Sequence, residues 1–345
     1  MDRFATSEYK VTYLIGAGAS AKALPMVKGE EGIAVKLIEF AENLKANSLI
    51  EPKFKIYVNL IAESLLWIAE GSKKFGTPDT FAKFLFLKEK SNLSKFKQAL
   101  SFYFDVEQLI NNRLDDRVLP FFTSIMNTTI FPSNVKILSW NYDCQFQLNS
   151  EVFGSEKFDF LPGGATGHTP PFITYYPSIG KEFHVNHDSA DMNEYTMVHL
   201  NGVAGYYMQE KLQYIFNDFI NKKPSNINEV LKSYFSFDSK NYLISFAWEH
   251  NTELDYYIRK RVEIANHIIK DSDVLVVIGY SFPFFNRNID KQIFNSLKER
   301  GKLKKIYFQD PNLDGSFLRK QFDLSEELEI IHIKDVSNYY IPNEL

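Results

Sequence analysis

The chain has a single cysteine, Cys144, in 345 residues. One thiol cannot close an intrachain disulfide, nor can it supply the four thiolates of a zinc ribbon, so a reducing cytoplasm is the expected compartment. An excess of charge of one sign is also missing. The 39 Lys and Arg residues face 43 Asp and Glu, a formal net charge of -4, and no long acidic or basic block interrupts the chain. Such a balance offers no electrostatic footprint for a polyanion, and direct nucleic-acid binding is not expected. No apolar run reaches the roughly 18–20 residues that cross a bilayer, so no membrane association is expected. The first residues lack the basic start, apolar stretch and small-residue cleavage site of a leader and read instead as the approach to a first strand. Internal repeats and low-complexity tracts are absent too.

What is present is the composition of an ordinary globular protein, 45% hydrophobic and 24% charged, which argues against disorder. The 31 Phe and 19 Tyr residues point to large packed faces or to an assembly interface. The length suits one α/β domain spanning 1–345 with a sizeable insertion.

Val11–Ile15 is a β-branched and aromatic run that ends in Gly16-Ala17-Gly18-Ala19-Ser20, the pattern of a strand entering a tight turn before a helix. From Ile33 to about Ile130 the spacing turns helical: Ile33, Leu37, Phe40 and Leu44 share a face, and the stretches 56–69 and 80–88 repeat the habit. Thr77-Pro-Asp79 supplies a turn there, with Asp79 able to cap the third helix. Short apolar runs at Val135–Ser139, Met197–Leu200, Tyr242–Phe246, Val274–Ile278, Lys304–Phe308 and Leu328–Ile333 read as strands. Helices are expected at about Tyr206–Lys222, Asn226–Phe235, Glu253–Lys270 and Ile289–Arg300, and residues 150–195 read as a long functional loop or lid. Short strands alternating with helices predict a Rossmann-like, doubly wound parallel sheet. Its core would comprise about 8–32 and 133–345, with a helical insertion at about 33–132.

Every polar motif falls just past a predicted strand end, where ligands bind in such sheets. Gly16–Ser20 follows the first strand, where glycines let the backbone turn tightly and present N–H groups to a pyrophosphate. Trp140-Asn141-Tyr142-Asp143 puts an amide and a carboxylate after the second run. His199-Leu-Asn201-Gly202 follows the third, and Gly279-Tyr280-Ser281-Phe282 follows the most apolar one. Taken singly, an Asn–Asp pair at a strand end is more often a turn, and a lone histidine more often structural than catalytic. The acid that an ordinary dinucleotide fingerprint places about 20 residues after its glycines has no counterpart here, which argues against a dehydrogenase. His168, His184 and His187 have no acidic or thiolate partners at ligand spacing, and no metal is expected.

In this order, the four motifs resemble the sirtuin superfamily, and more narrowly the bacterial sirtuin-like NAD hydrolases of anti-phage defence. The string Gly279-Tyr-Ser-Phe-Pro-Phe-Phe-Asn-Arg-Asn-Ile-Asp290 looks like the defence branch. The likeness runs from about residue 8 to residue 335. It implies an NAD+ glycohydrolase that releases nicotinamide and ADP-ribose without a metal. In that reading Asn141 positions water and ribose, Asp143 orients the carboxamide, and His199 is the base. Gly16, Ala17, Gly18, Ala19, Ser20 and Ser281 would hold the pyrophosphate, with Tyr142, Asn201, Gly279, Tyr280 and Phe282 lining the nucleotide and Asp310 or Asn312 on the adenosine ribose. Anchoring the comparison on Gly202 instead puts Asn201 in the histidine's place. Deacylases of the superfamily carry a four-cysteine zinc module, which one cysteine cannot build, so protein deacylation is the weaker alternative. A non-catalytic NAD or ADP-ribose sensor is the other. Because free NAD+ hydrolysis would kill the host, the resemblance also implies abortive infection under control. The controlling partner would be a second copy of the chain or a separately encoded protein, such as a HerA-type ATPase or a nucleotide pyrophosphatase-like protein.

Overall fold

The computed structural model describes residues 9–126, 131–150, 173–177, 192–208, 212–214, 224–236, 241–249 and 255–345. Its strands are β1 (Val11–Ile15), β2 (Val135–Ser139), β3 (Tyr175–Tyr176), β4 (Met197–His199), β5 (Tyr206–Met208), β6 (Leu212–Tyr214), β7 (Asn241–Tyr242), β8 (Val274–Ile278), β9 (Lys305–Gln309) and β10 (Glu329–Ile333). Seven of them form one parallel sheet in the order β10-β9-β8-β1-β2-β4-β3. The α/β class with a parallel, Rossmann-like sheet is therefore as expected from the sequence.

β1, β2 and β8 are apolar on both faces because both faces are covered. Leu14, Leu138, Leu275 and Val277 join one core cluster, while Tyr13, Ile15, Ile137 and Val276 join the other. The register sets Ile15 opposite Ser139 on one side and Ile278 on the other. Three strands thus end level, and the turns that follow them are brought side by side.

Between β1 and β2 the chain forms α1 (Ile33–Ala46), α2 (Lys55–Phe75), α3 (Pro78–Lys88), α4 (Lys90–Asp105) and α5 (Val118–Ile125). Later come α6 (Gln145–Ser150), α7 (Ile227–Phe235), α8 (Asp255–Ile269), α9 (Arg287–Glu299) and α10 (Phe317–Phe322). The stripe read on α1 is the buried one: Ile33, Leu37, Phe40 and Leu44 all face the core. α3 begins earlier than expected. Pro78 occupies its first turn and Thr77 is the cap, accepting from Thr80 N at 3.1 Å, while Asp79 accepts from the Tyr142 hydroxyl.

Three further expectations need correction. The helix read from Tyr206 begins instead as the antiparallel pair β5 and β6, with β7 on its other side. Its Tyr-Tyr-Met and Leu-Gln-Tyr segments alternate as well as they spiral, and cross-strand pairing decides. The strand read over Tyr242–Phe246 is paired only at Asn241–Tyr242. Within the 150–195 stretch, Tyr175–Tyr176 is a strand on the sheet edge, and most of the remaining stretch, with His168, His184 and His187, lies outside the described residues. No helix among the described residues is long and apolar enough to cross a membrane.

Candidate functional site

The turn after β1 touches the turn after β8 so closely that only glycine fits. A Cβ on Gly18 would lie 2.6 Å from Gly279 Cα, and one on Gly16 would lie 2.7 Å from the Tyr280 ring. Gly279 itself has φ +57, a left-handed conformation suited to glycine. Gly18 N–H donates to Gly279 O at 2.9 Å and locks the two turns together, while Ala19 N–H closes the first turn on Gly16 O at 2.9 Å. Arg117 and Tyr339 grip the other side. The Arg117 Nη2 donates to Gly18 O and Ala19 O, both at 3.1 Å, while pairing with Asp115 at 2.7 Å, and the Tyr339 hydroxyl donates to Ala19 O.

Asn141, just past β2, reaches toward β1. Its Nδ2 donates to Gly16 O at 2.9 Å and to Ser20 Oγ at 3.1 Å, and the Ser20 hydroxyl donates to Asp143 Oδ2 at 2.7 Å. Gly16, Ser20, Asn141 and Asp143 therefore form one hydrogen-bonded cluster, and all four are buried. Burial pushes the Asp143 carboxyl up to about 6, opposed by the Ser20 hydroxyl and the Gln145 N–H.

This upward shift makes a prediction about stability. Asp143 binds its proton more tightly folded than unfolded, where an aspartate titrates near about 3.9, so its contribution is complete below about pH 4 and is lost as pH rises through about 6. Urea unfolding between pH 4 and 7 is expected to show the native chain losing about 2–3 kcal/mol relative to D143N. Parallel pH profiles of the two proteins would remove this account of Asp143.

His199 reaches the same cluster from β4, through main chain. Its Nδ1 lies 3.4 Å from Asn141 O, and its Nε2 lies 2.7 Å from Gln147 Nε2. With the Gln147 amide donating, the proton sits on Nδ1 and both ring nitrogens are engaged. The ring is 1% exposed, and burial pushes it down to about 4, so it is neutral at pH 7. Asn201 is buried as well, its Nδ2 donating to Trp140 O at 3.1 Å.

The remaining expected residues take other places. Tyr280 is buried and stacked on Trp140, and its hydroxyl donates to the buried Asp290 while accepting from Asn286 Nδ2. The long string ending at Asp290 thus closes a polar network behind the turn, and burial raises Asp290 well above the usual carboxylate range. Phe282 is buried among Phe294, Phe308, Phe317 and Phe322, whereas Ser281 is exposed. Ala17 is half-buried on the turn, and Tyr142 is occupied with Asp79. Asp310 lies past β9, two strands from β1, where its carboxylate accepts from the N–H groups of Asn312 and Leu313. No hydrogen bond among the described residues joins Asp310 or Asn312 to the Asn141 cluster.

A cavity of about 530 Å3 opens directly after Ser20, between the Ala21–Met26 segment, α1 and the end of α4, with Phe40, Asn43, Tyr103 and Arg113 in its wall. Asn141, Asp143 and His199 do not line it. Among the described residues, no group of three or more His, Cys, Asp or Glu is placed to hold a metal ion.

Arg117, Asp115 and Tyr339 escaped the sequence reading. Arg117 and Tyr339 meet the first turn from 99 and 320 residues away in the chain, with Asp115 paired to Arg117, and no local spacing announces such contacts. A scan of protein-family models finds no match to the chain, and a search of curated proteins likewise finds none.

Proposed function

We propose that the chain binds NAD+ at the carboxyl edge of its parallel sheet and hydrolyses it to nicotinamide and ADP-ribose. The observation that carries this reading is the convergence of Gly16, Ser20, Asn141 and Asp143, from the ends of two adjacent strands, into one buried cluster beside the Gly279 turn. The carboxyl ends of the strands are where open α/β sheets take nucleotides. The cavity next to Ser20 falls in the range of about 300–1,000 Å3 common for ligand sites and would receive part of the dinucleotide.

The nicotinamide–ribose bond is already activated, because the ring is cationic in NAD+ and leaves neutral. As the C1′–N bond breaks, both its electrons pass to the pyridinium nitrogen. A water oxygen bonds to C1′, and its proton passes to a base. No general acid is required; what helps is a positioned nucleophile and support for an oxocarbenium-like sugar. Asn141 is the positioning amide, and Asp143 holds it through Ser20. His199, neutral at pH 7, is the base, and to act it must release the Gln147 amide from Nε2. Since such an activity would drain the cell, we place the chain as the effector of an abortive anti-phage response, restrained by self-association or by a second protein.

One observation favours a second reading. Both His199 nitrogens are engaged and the ring is enclosed, which suits a sensor that binds NAD+ or ADP-ribose without turnover. Following free nicotinamide from NAD+, alongside equilibrium binding of ADP-ribose, separates the two. Release supports the hydrolase, binding without release supports the sensor, and neither would remove both.

A further inference from the structure

α8 carries Arg261, which is completely buried, and its charge is not matched. Nη2 donates to Ser245 Oγ and the guanidinium lies 5.3 Å from the Tyr257 ring centre, yet among the described residues Nε and Nη1 have no hydrogen-bond partner. Arginine stays ionised in proteins, and a buried ion without a partner is strongly unfavourable. The buried carboxylate in its electrostatic neighbourhood, Glu249, is committed to Lys97 at 2.6 Å and accepts from Phe246 N. Among the described residues this corner is one anion short.

The corner belongs to the end of β4. Gly202 runs above the guanidinium, where an added Cβ would lie 3.3 Å from Nη1, and Ser245 N–H donates to Asn201 O at 2.8 Å. Asn201 Oδ1 is a buried acceptor that has no donor among the described residues. Unmet donors on a cation beside an unmet neutral acceptor are complementary to a ligand with both an oxyanion and a hydroxyl. We propose that Arg261 anchors a sugar-phosphate site at the carboxyl end of β4, its guanidinium taking phosphate oxygens and Asn201 Oδ1 accepting from a sugar hydroxyl. The ligand class rests on the NAD+ reading, whose product ADP-ribose contains such a group.

The test is calorimetric titration of ribose 5-phosphate and of inorganic phosphate into the purified chain and into R261M, with melting of each ligand-free protein. Ribose 5-phosphate is expected to bind saturably and more tightly than phosphate. R261M is expected to bind it about 10–100-fold more weakly, the scale of lost charge-assisted hydrogen bonds. The ligand-free Tm of R261M is not expected to fall, because an unmatched ion gives way to an apolar chain of similar size. A lack of saturable binding, binding by R261M within threefold of the native chain, or equal affinity for the two probes would overturn the proposal. Should R261M not fold, the side-chain Nε–H resonance of Arg261, assigned through S245A, decides. Movement with ribose 5-phosphate supports the site, and a fixed resonance overturns it. Nicotinamide release plays no part in these readings, so either proposal can fail while the other stands.

Discussion

N141A is expected to release nicotinamide from NAD+ at least about 100-fold more slowly than the native chain, the scale of a lost positioning group. The Asn141 amide bridges the first glycine turn and the Ser20 hydroxyl, and among the described residues only Asp143 also ties that hydroxyl to the end of β2. Truncation also removes the Asn141 bonds to Gly16 O and Ser20 Oγ, at about 0.5–1.5 kcal/mol each, with Gly16 O keeping the Ala19 N–H, so melting has to accompany the kinetics. H199A belongs beside it and should lose a comparable factor if the imidazole takes the proton. A folded N141A that turns over NAD+ within threefold of the native rate would end the catalytic assignment. ADP-ribose binding retained by both variants would show that the loss lies in the chemical step.

G202A is expected to destabilise the chain by about 3 kcal/mol or more, the combined scale of an overpacked backbone and a non-glycine residue in a left-handed conformation. The added Cβ would fall 1.7 Å from Leu243 O, a main-chain atom that cannot rotate away, at φ +76. G76A is the control. Gly76 has a similarly positive φ of +86 but meets nothing within 4 Å, so it carries the conformational cost alone, about 1 kcal/mol. Urea denaturation separates the two, and equal losses would mean that the Gly202 turn has room to adjust.

The parts of the fold that could be read were those whose signal is local. The bounds of β1, β2 and β8 were readable because a buried parallel strand leaves a nearly continuous apolar run, broken here at Thr12, Lys136 and Ser139. α1 declared its buried face through four apolar residues at helical spacing. Tyr206–Met208 was misread because a three-residue strand is too short for its period to show. The cluster of Gly16, Ser20, Asn141 and Asp143 was legible as a set of strand-end motifs, since register alone brings β1 and β2 level. Asp310 follows a strand too, and only the strand order shows that β9 lies two places from β1. Arg261 gave no sign at all. A charged residue in the middle of an amphipathic helix looks like its solvent side until tertiary packing encloses it.

The contact between Gly18 and Gly279 also orders events in time. A polypeptide emerging from the ribosome can bring Ser20, Asn141 and Asp143 together long before residue 279 exists, and Tyr339, which holds Ala19, arrives later still. Until then the central strand has a bare flank where β8 will sit. A prematurely terminated product would therefore hold the strand-end cluster with its first turn unclamped, and synthesis itself would delay its completion.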